Sequence, residues 1–277
     1  DLIVVPCYNE EESIPLFYEE MKKITAKMQD KCDFEFVFVN DGSKDKTLDI
    51  LRRLARMNDK VRYISFSRNF GKEAAMYAGL GNASGEYSVI IDADLQQNPK
   101  YVKEMLNFID NNPAYDSVAC YQDKRVGSKV ITFFGNIFYK LINHFSSIKL
   151  QKNASDFRLM NRNMVNAILS LSEYYRFSKG IFSFVGFNTY YMPYKVQERI
   201  YGETKFSLKK LYKYAIDGIV GFTTAPLKLA TYLGFFSFFM AIIYFIILVI
   251  KKLTIGIEIS GYPTIVSLIL LFGGLQM

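Results

Sequence analysis

The stretch Val89-Ile90-Ile91-Asp92-Ala93-Asp94-Leu95-Gln96 decides how this 277-residue chain is read. A short, continuous apolar run is the mark of a strand buried on both faces of a parallel sheet. It stops abruptly in two carboxylates separated by one small residue. In open α/β sheets ligands collect beyond the carboxyl ends of the strands, so Asp92 and Asp94 are placed to meet a substrate and a hard cation. Gln96 offers a neutral oxygen ligand two residues on. The same residues have a plainer reading, in which Asp92 ends the strand and Asn98-Pro99 opens the next helix. What the neighbouring strand ends carry must separate the two.

Working outward, Leu2 to Val5 reads as a first buried strand stopped by Pro6, with Cys7-Tyr8-Asn9-Glu10 as the loop after it. Ser13 can cap a helix to about Met28, with Ile14, Phe17, Met21 and Ile24 on one face. Phe34 to Val39 is a second strand, closed by the turn residues Asn40-Asp41-Gly42-Ser43 before a helix over 47–57. Val61 to Phe66 is a third strand and Lys72 to Gly81 a helix. After the Val89 strand come a helix from Pro99 to about Asn111 and a strand over 117–121. This alternation over the first ~120 residues predicts an α/β fold, a mostly parallel sheet with helices on both faces. Three strand ends on one edge then carry polar loops. None contains G-x-G-x-x-G or G-x-x-x-x-G-K-[ST], so a dinucleotide fingerprint and a P-loop are both excluded. A nucleotide would be held by acids on its base and ribose, and its diphosphate by a cation on the acidic pair.

Composition narrows the classes. The chain is 50% hydrophobic with a net charge of +7, enough apolar content for a sizeable core and too much for disorder. Lys205, Lys209, Lys210 and Lys213 crowd ahead of a very apolar C-terminal third, which points to an anionic membrane surface and away from nucleic acid. Cys7, Cys32 and Cys120 are far apart with no C-x-x-C pair, and Cys7 and Cys120 lie in apolar strand-like runs, as buried thiols do. The single histidine, His144, lies in a helical pattern, so neither a histidine metal site nor a Ser-His-Asp triad can be assembled. The chain begins at Asp1 directly before a strand, and a few preceding residues are expected to be missing.

Pro6-Cys7-Tyr8-Asn9-Glu10, Asn40-Asp41-Gly42-Ser43 and Asp92-Ala93-Asp94-Leu95-Gln96, in this order and spacing, resemble the family 2 inverting glycosyltransferases. The resemblance is to the branch that uses polyprenyl phosphates, including undecaprenyl-phosphate glucosyltransferases and dolichyl-phosphate mannose synthases, and it runs over essentially the whole chain. It implies the nucleotide-diphospho-sugar transferase fold. It also implies nucleotide-sugar contacts for Pro6, Tyr8, Glu10, Asp41, Asp92 and Ala93, and a Mg²⁺ or Mn²⁺ ion on Asp92, Asp94 and Gln96. Asn40 stands where many members carry an Asp, and its amide can still both donate and accept hydrogen bonds. Ser155-Asp156-Phe157-Arg158 resembles the segment whose Asp faces the acceptor, which makes Asp156 and Asp94 the candidate catalytic carboxylates. Read without the resemblance, Asp156 and Arg158 are equally a structural ion pair. The family role for this Asp is general base. A phosphate monoester, with its second pKa near 6, is already largely dianionic at neutral pH, so orienting the acceptor is the better expectation.

Glu198 to Phe206 is a polar loop broken by Gly202. On residue types alone it is an ordinary solvated loop; by the resemblance Arg199 and Lys205, with Arg125, receive the acceptor phosphate. Ser207 to about Val220 mixes Lys209, Lys210 and Lys213 with Leu208, Leu211, Ile216 and Ile219 as an interfacial amphipathic helix does, and as a docked soluble helix also can. Leu229 to Ile250 holds roughly 22 residues without a charge, enough to cross a hydrocarbon core. The expected organisation is a cytoplasmic catalytic domain over 1–206, a juxtamembrane region over 207–228, a transmembrane helix over 229–252, and the truncated start of a second over 262–277. The expected activity is metal-dependent transfer of a hexose, with UDP-glucose the favoured donor, to undecaprenyl phosphate in the bilayer. UDP-GlcNAc, UDP-galactose, GDP-mannose and aminoarabinose donors stay open, as does a homo-oligomer. A processive polysaccharide synthase would resemble the same family but needs a Q-x-x-R-W signature, and the chain has no Trp. From another class, a non-catalytic membrane scaffold with a nucleotide-binding domain is separated from an enzyme by donor turnover.

Overall fold

The computed structural model describes residues 1–29, 31–122, 135–136, 139–140, 142–144, 149–171, 177–197, 225–255 and 261–276. Its strands are β1 (Leu2–Cys7), β2 (Glu35–Asn40), β3 (Val61–Ser65), β4 (Tyr87–Ile90), β5 (Ser117–Gln122), β6 (Ala154–Asn161) and β7 (Thr189–Tyr194). The helices are α1 (Ser13–Ala26), α2 (Thr47–Met57), α3 (Lys72–Gly81), α4 (Lys100–Asn111), α5 (Arg162–Ser170), α6 (Ser178–Phe184), α7 (Ala225–Ile255) and α8 (Gly261–Gln276). The chain divides into two compact units, one built on the sheet and one containing α7 and α8.

The strands form one seven-stranded sheet in the order β3-β2-β1-β4-β6-β5-β7. β1, β2, β3 and β4 pair in parallel, as the alternating pattern implies. β6 runs antiparallel between β4 and β5, and β7 returns parallel to β5, so the sheet is mixed while remaining mostly parallel. The core fills both faces: Ile3, Val5, Phe17, Phe38, Val89, Met105 and Phe157 are buried on one, and Val4, Val39, Ala75, Met76 and Leu80 are buried on the α3 side. α3 packs so closely on β1 that a Cβ added at Gly79 would stand 2.2 Å from Val4 Cγ1. α1 starts at Ser13 as expected, but its cap position is Glu12, and the first turn is closed by Ser13 N–H donating to the Glu10 carbonyl at 3.2 Å.

The expected span Leu229 to Ile250 lies inside α7, where Leu227–Lys251, 25 residues, is long and apolar enough to cross a membrane. Leu229, Tyr232, Leu233, Phe235, Phe236 and Phe239 are exposed on it, which a buried core helix would not show. α8 packs along α7, with Ser237 Oγ donating to the Leu270 carbonyl at 3.2 Å. The expected amphipathic helix, Ser207 to about Val220, lies outside the described residues.

Candidate active site

The loops after β1 and β2 are laced into one surface by their own polar atoms. Asn9, at φ 52°, accepts from Lys44 N–H at 2.9 Å and donates its own N–H to Ser43 Oγ at 2.9 Å. Glu10 N–H donates to Thr47 Oγ1 at 2.8 Å. Pro6, Tyr8 and Glu10 stand half-buried on this surface. Asn40 holds the second loop from within, donating to Ser65 Oγ at 3.0 Å and accepting from Ser43 N–H at 3.2 Å. Gly42 must turn with φ +64° while the loop at Arg68-Asn69 crosses it; a Cβ there would meet Arg68 C at 2.4 Å.

Asp41 is 3% exposed, and its two oxygens accept from Phe70 N–H at 2.7 Å and Gly71 N–H at 2.9 Å. Burial pushes its carboxyl up against these two bonds. The structure thus places Asp41 beneath the loop that leads into α3. Gly71, at φ +98°, then aims the first residue of α3 back across the sheet edge.

That residue is Lys72, which the sequence reading passed over. Its ammonium reaches Asp92 Oδ1 at 2.7 Å and Oδ2 at 2.8 Å, and Asp156 Oδ2 at 3.1 Å. Burial works against its charge, but the two carboxylates outweigh burial and raise its pKa above the ordinary lysine value. Burial also pushes the Asp92 carboxyl up, against the pull of Lys72 and helped by the Asp94 charge. An ammonium in contact with both Asp92 oxygens keeps the pair ionic all the same. Gln97 completes the bracket: it accepts from Asp92 N–H at 2.9 Å, donates to Asp92 Oδ2 at 2.9 Å and reaches Ser155 Oγ at 3.3 Å.

The acidic motif alternates sides. Asp92, Asp94 and Gln96 are half-exposed, while Ala93, Leu95 and Gln97 are buried. Leu95 takes φ 60°, a left-handed conformation that costs a non-glycine residue roughly 1–3 kcal/mol and is found where a site dictates it. The Gln96 amide then donates to Asp94 Oδ1 at 3.2 Å.

Asp156 sits on β6, and its ion pair is with Lys72. The Arg158 pairing open on sequence grounds is not what forms: the Arg158 guanidinium lies over the Phe182 ring at 3.5 Å, on α6. Burial raises the Asp156 carboxyl, but Lys72, Lys179 and Arg158 together outweigh burial and hold it below the usual range. Its Oδ1 is buried with no hydrogen-bond partner among the described residues. Beside it opens a polar cleft of about 260 Å³ lined by Asp92, Gln96, Gln122, Ser155, Asp156, Lys179 and Tyr194 among others. Lys179 stands on α6, whose first residue is pinned by Ser178 N–H and Oγ donating to Glu73, the neighbour of Lys72. Arg125, Arg199 and Lys205 lie outside the described residues.

Loops of three parallel strands meeting at one edge, with an acidic pair at the central strand and a polar cleft beside it, are the arrangement of a nucleotide-diphospho-sugar transferase. Residues 2–169 match the family described as Glycosyl transferase family 2, and the chain belongs to that family; it is a glycosyltransferase. It is 41% identical over 275 residues to the Bacillus subtilis protein CsbB, described as a glycosyltransferase, covering 99% of this chain and 82% of that one. It is 38% identical over 275 residues to the prophage bactoprenol glucosyl transferase homolog of Escherichia coli K12, covering 99% of this chain and 89% of the relative. Among solved structures, glucosyl-3-phosphoglycerate synthase from Mycobacterium tuberculosis, crystallised with Mn²⁺, UDP and phosphoglyceric acid, has a similar fold. The TM-score is 0.57 at 19% identity, covering 79% of this chain and 75% of that one.

Proposed function

We propose that this glycosyltransferase moves glucose from UDP-glucose to a polyprenyl phosphate with inversion, on the cytoplasmic side of a membrane that α7 crosses. The observation that carries the reading is the likeness to relatives named bactoprenol glucosyl transferases, which extends over 99% of this chain and so includes its apolar helix. The catalytic domain is assigned to 1–206, the membrane-facing region to 207–228 and the span to 229–252, with 262–277 a shorter apolar helix that follows it.

The donor set fits a divalent cation in part. Asp94 and Gln96 present hard oxygens at the half-exposed side of the motif, whereas both oxygens of Asp92 already receive Lys72. Asp94 and Gln96 would hold Mg²⁺ or Mn²⁺, with Asp92 in support, and the ion would supply charge to the departing diphosphate. Pro6, Tyr8, Glu10, Asp41 and Ala93 are assigned to the donor's nucleotide end, Asp41 by shaping the loop above it. Asp156 is assigned to orienting the acceptor. A carboxylate flanked by Lys72, Lys179 and Arg158 is a weak base, and a dianionic phosphate has no proton to lose. Lys179 supplies a cation in the cleft that Asp156 also lines, and joins Arg125, Arg199 and Lys205 as receivers of the acceptor phosphate.

The test is a panel of radiolabelled nucleotide sugars given to membranes containing undecaprenyl phosphate, scored for label in the lipid fraction. UDP-glucose should label lipid best. Labelling from GDP-mannose or UDP-GlcNAc instead would overturn the sugar assignment, and none from any donor would overturn the transfer itself.

A further inference from the structure

Lys72 occupies the place where a cation would sit between Asp92 and Asp156, and this has a consequence for how a metal ion reaches the site. The ammonium touches both oxygens of Asp92 and one of Asp156 within 3.1 Å, so these two carboxylates are already matched to a cation. Lys179 adds a further positive charge beside Asp156. Among the described residues no group of three or more His, Cys, Asp or Glu side chains could hold a metal ion. A free divalent ion therefore meets Asp94, neutral amides and a nearby ammonium that repels it. A nucleoside diphosphate changes that sum, since its oxygens can accept from Lys72 and ligate the ion together.

We propose that Lys72 makes the metal site conditional: it holds Asp92 and Asp156 against free divalent ions and admits one only together with the donor diphosphate. Lys72 is a positioning residue in this role, and its own placement is secured from the nucleotide side. Asp41 fixes the amide of Gly71, and Gly71 aims Lys72 across the sheet edge. The inference rests on the metal-dependent reading above and goes further, assigning an order of binding and the side chain that imposes it.

The experiment is Mn²⁺ binding to the purified chain in detergent, followed by electron paramagnetic resonance with and without UDP, before any turnover. Wild type should bind Mn²⁺ at least tenfold more tightly with UDP than without. Lys72→Met, of similar length and no charge, should tighten UDP-free binding at least tenfold and collapse that ratio. Lys72→Arg should keep it. Asp94→Asn should weaken Mn²⁺ binding in both conditions, identifying the site. Equal affinity with and without UDP in wild type, a comparison that needs no variant to fold, would overturn the proposal. So would Lys72→Met with unchanged or weaker UDP-free binding. Absence of Mn²⁺ binding to wild type even with UDP would overturn the metal reading itself, and this inference with it.

Discussion

Asp156→Asn separates a general base from a group that orients the acceptor. The substitution keeps the shape and removes the charge that Lys72 meets at 3.1 Å and that Lys179 faces across the cleft. A charge-assisted hydrogen bond contributes about 1.5–3 kcal/mol, so losing this one should lower kcat/KM roughly ten- to hundredfold. Removing a general base costs on the order of 10²–10⁴, so magnitude alone does not decide. The pH profile does. Burial raises the Asp156 carboxyl, but the three cations hold it below the ordinary aspartate range. It is therefore ionised throughout an assay from pH 6 to 9 and contributes no titration there. The limb set by the acceptor's second ionisation near pH 6 is therefore left in place by the substitution. With lipid phosphate and UDP-glucose, the variant should show the wild-type profile displaced downward, with log rate rising to about pH 6–7 and then flat. If Asp156→Asn gave no detectable turnover anywhere between pH 6 and 9 while binding both substrates normally, the positioning argument would be refuted.

Other substitutions probe other contacts. Asp94→Asn is expected to abolish transfer, and near wild-type turnover in a folded variant would remove Asp94 from the metal site. Arg199→Ala, Lys205→Ala and Lys179→Ala should each raise the apparent KM for the lipid phosphate by about one to two decades with donor affinity little changed. A larger loss in nucleotide-sugar titration would make these residues donor ligands. Gly79→Ala drives a methyl to 2.2 Å from Val4 Cγ1 between α3 and β1, so it should destabilise the fold by about 1–3 kcal/mol. Thermal unfolding checks this, and an unchanged Tm would mean that the helix can shift on the strand.

The parallel half of the sheet was legible because each strand and helix there carries its own periodicity. The helices over 47–57 and 72–81 begin and end where the pattern places them. β6 carries no strand pattern of its own. Its sequence, Ala-Ser-Asp-Phe-Arg-Leu-Met-Asn, interrupts the apolar run with Asp156 and Arg158, and what makes it a strand is antiparallel pairing with β4 and β5. Pairing between distant segments leaves no local signal. The acidic motif announced itself by ending a buried strand in charge, whereas Lys72 opens a helix with Lys-Glu as many solvent-facing helices do. Its role is created by β4 and β6 meeting beside it. Only Gly71, placed just before the helix, hinted that the chain there is bent to aim something.

The packing of α3 has one more consequence, which concerns rotation about the helix axis. Lys72 and Gly79 are seven residues apart, nearly two full turns, so they lie on the same face together with Ala75 and Met76. One end of that face is fixed by carboxylates and the other by the absence of a side chain against Val4. The angular setting of the helix is thus specified twice, once by charge and once by volume. Inserting a single residue between Glu73 and Gly79 would turn one end relative to the other by about 100°, so only one of the two could be kept. These two turns of helix cannot gain a residue and keep both anchors.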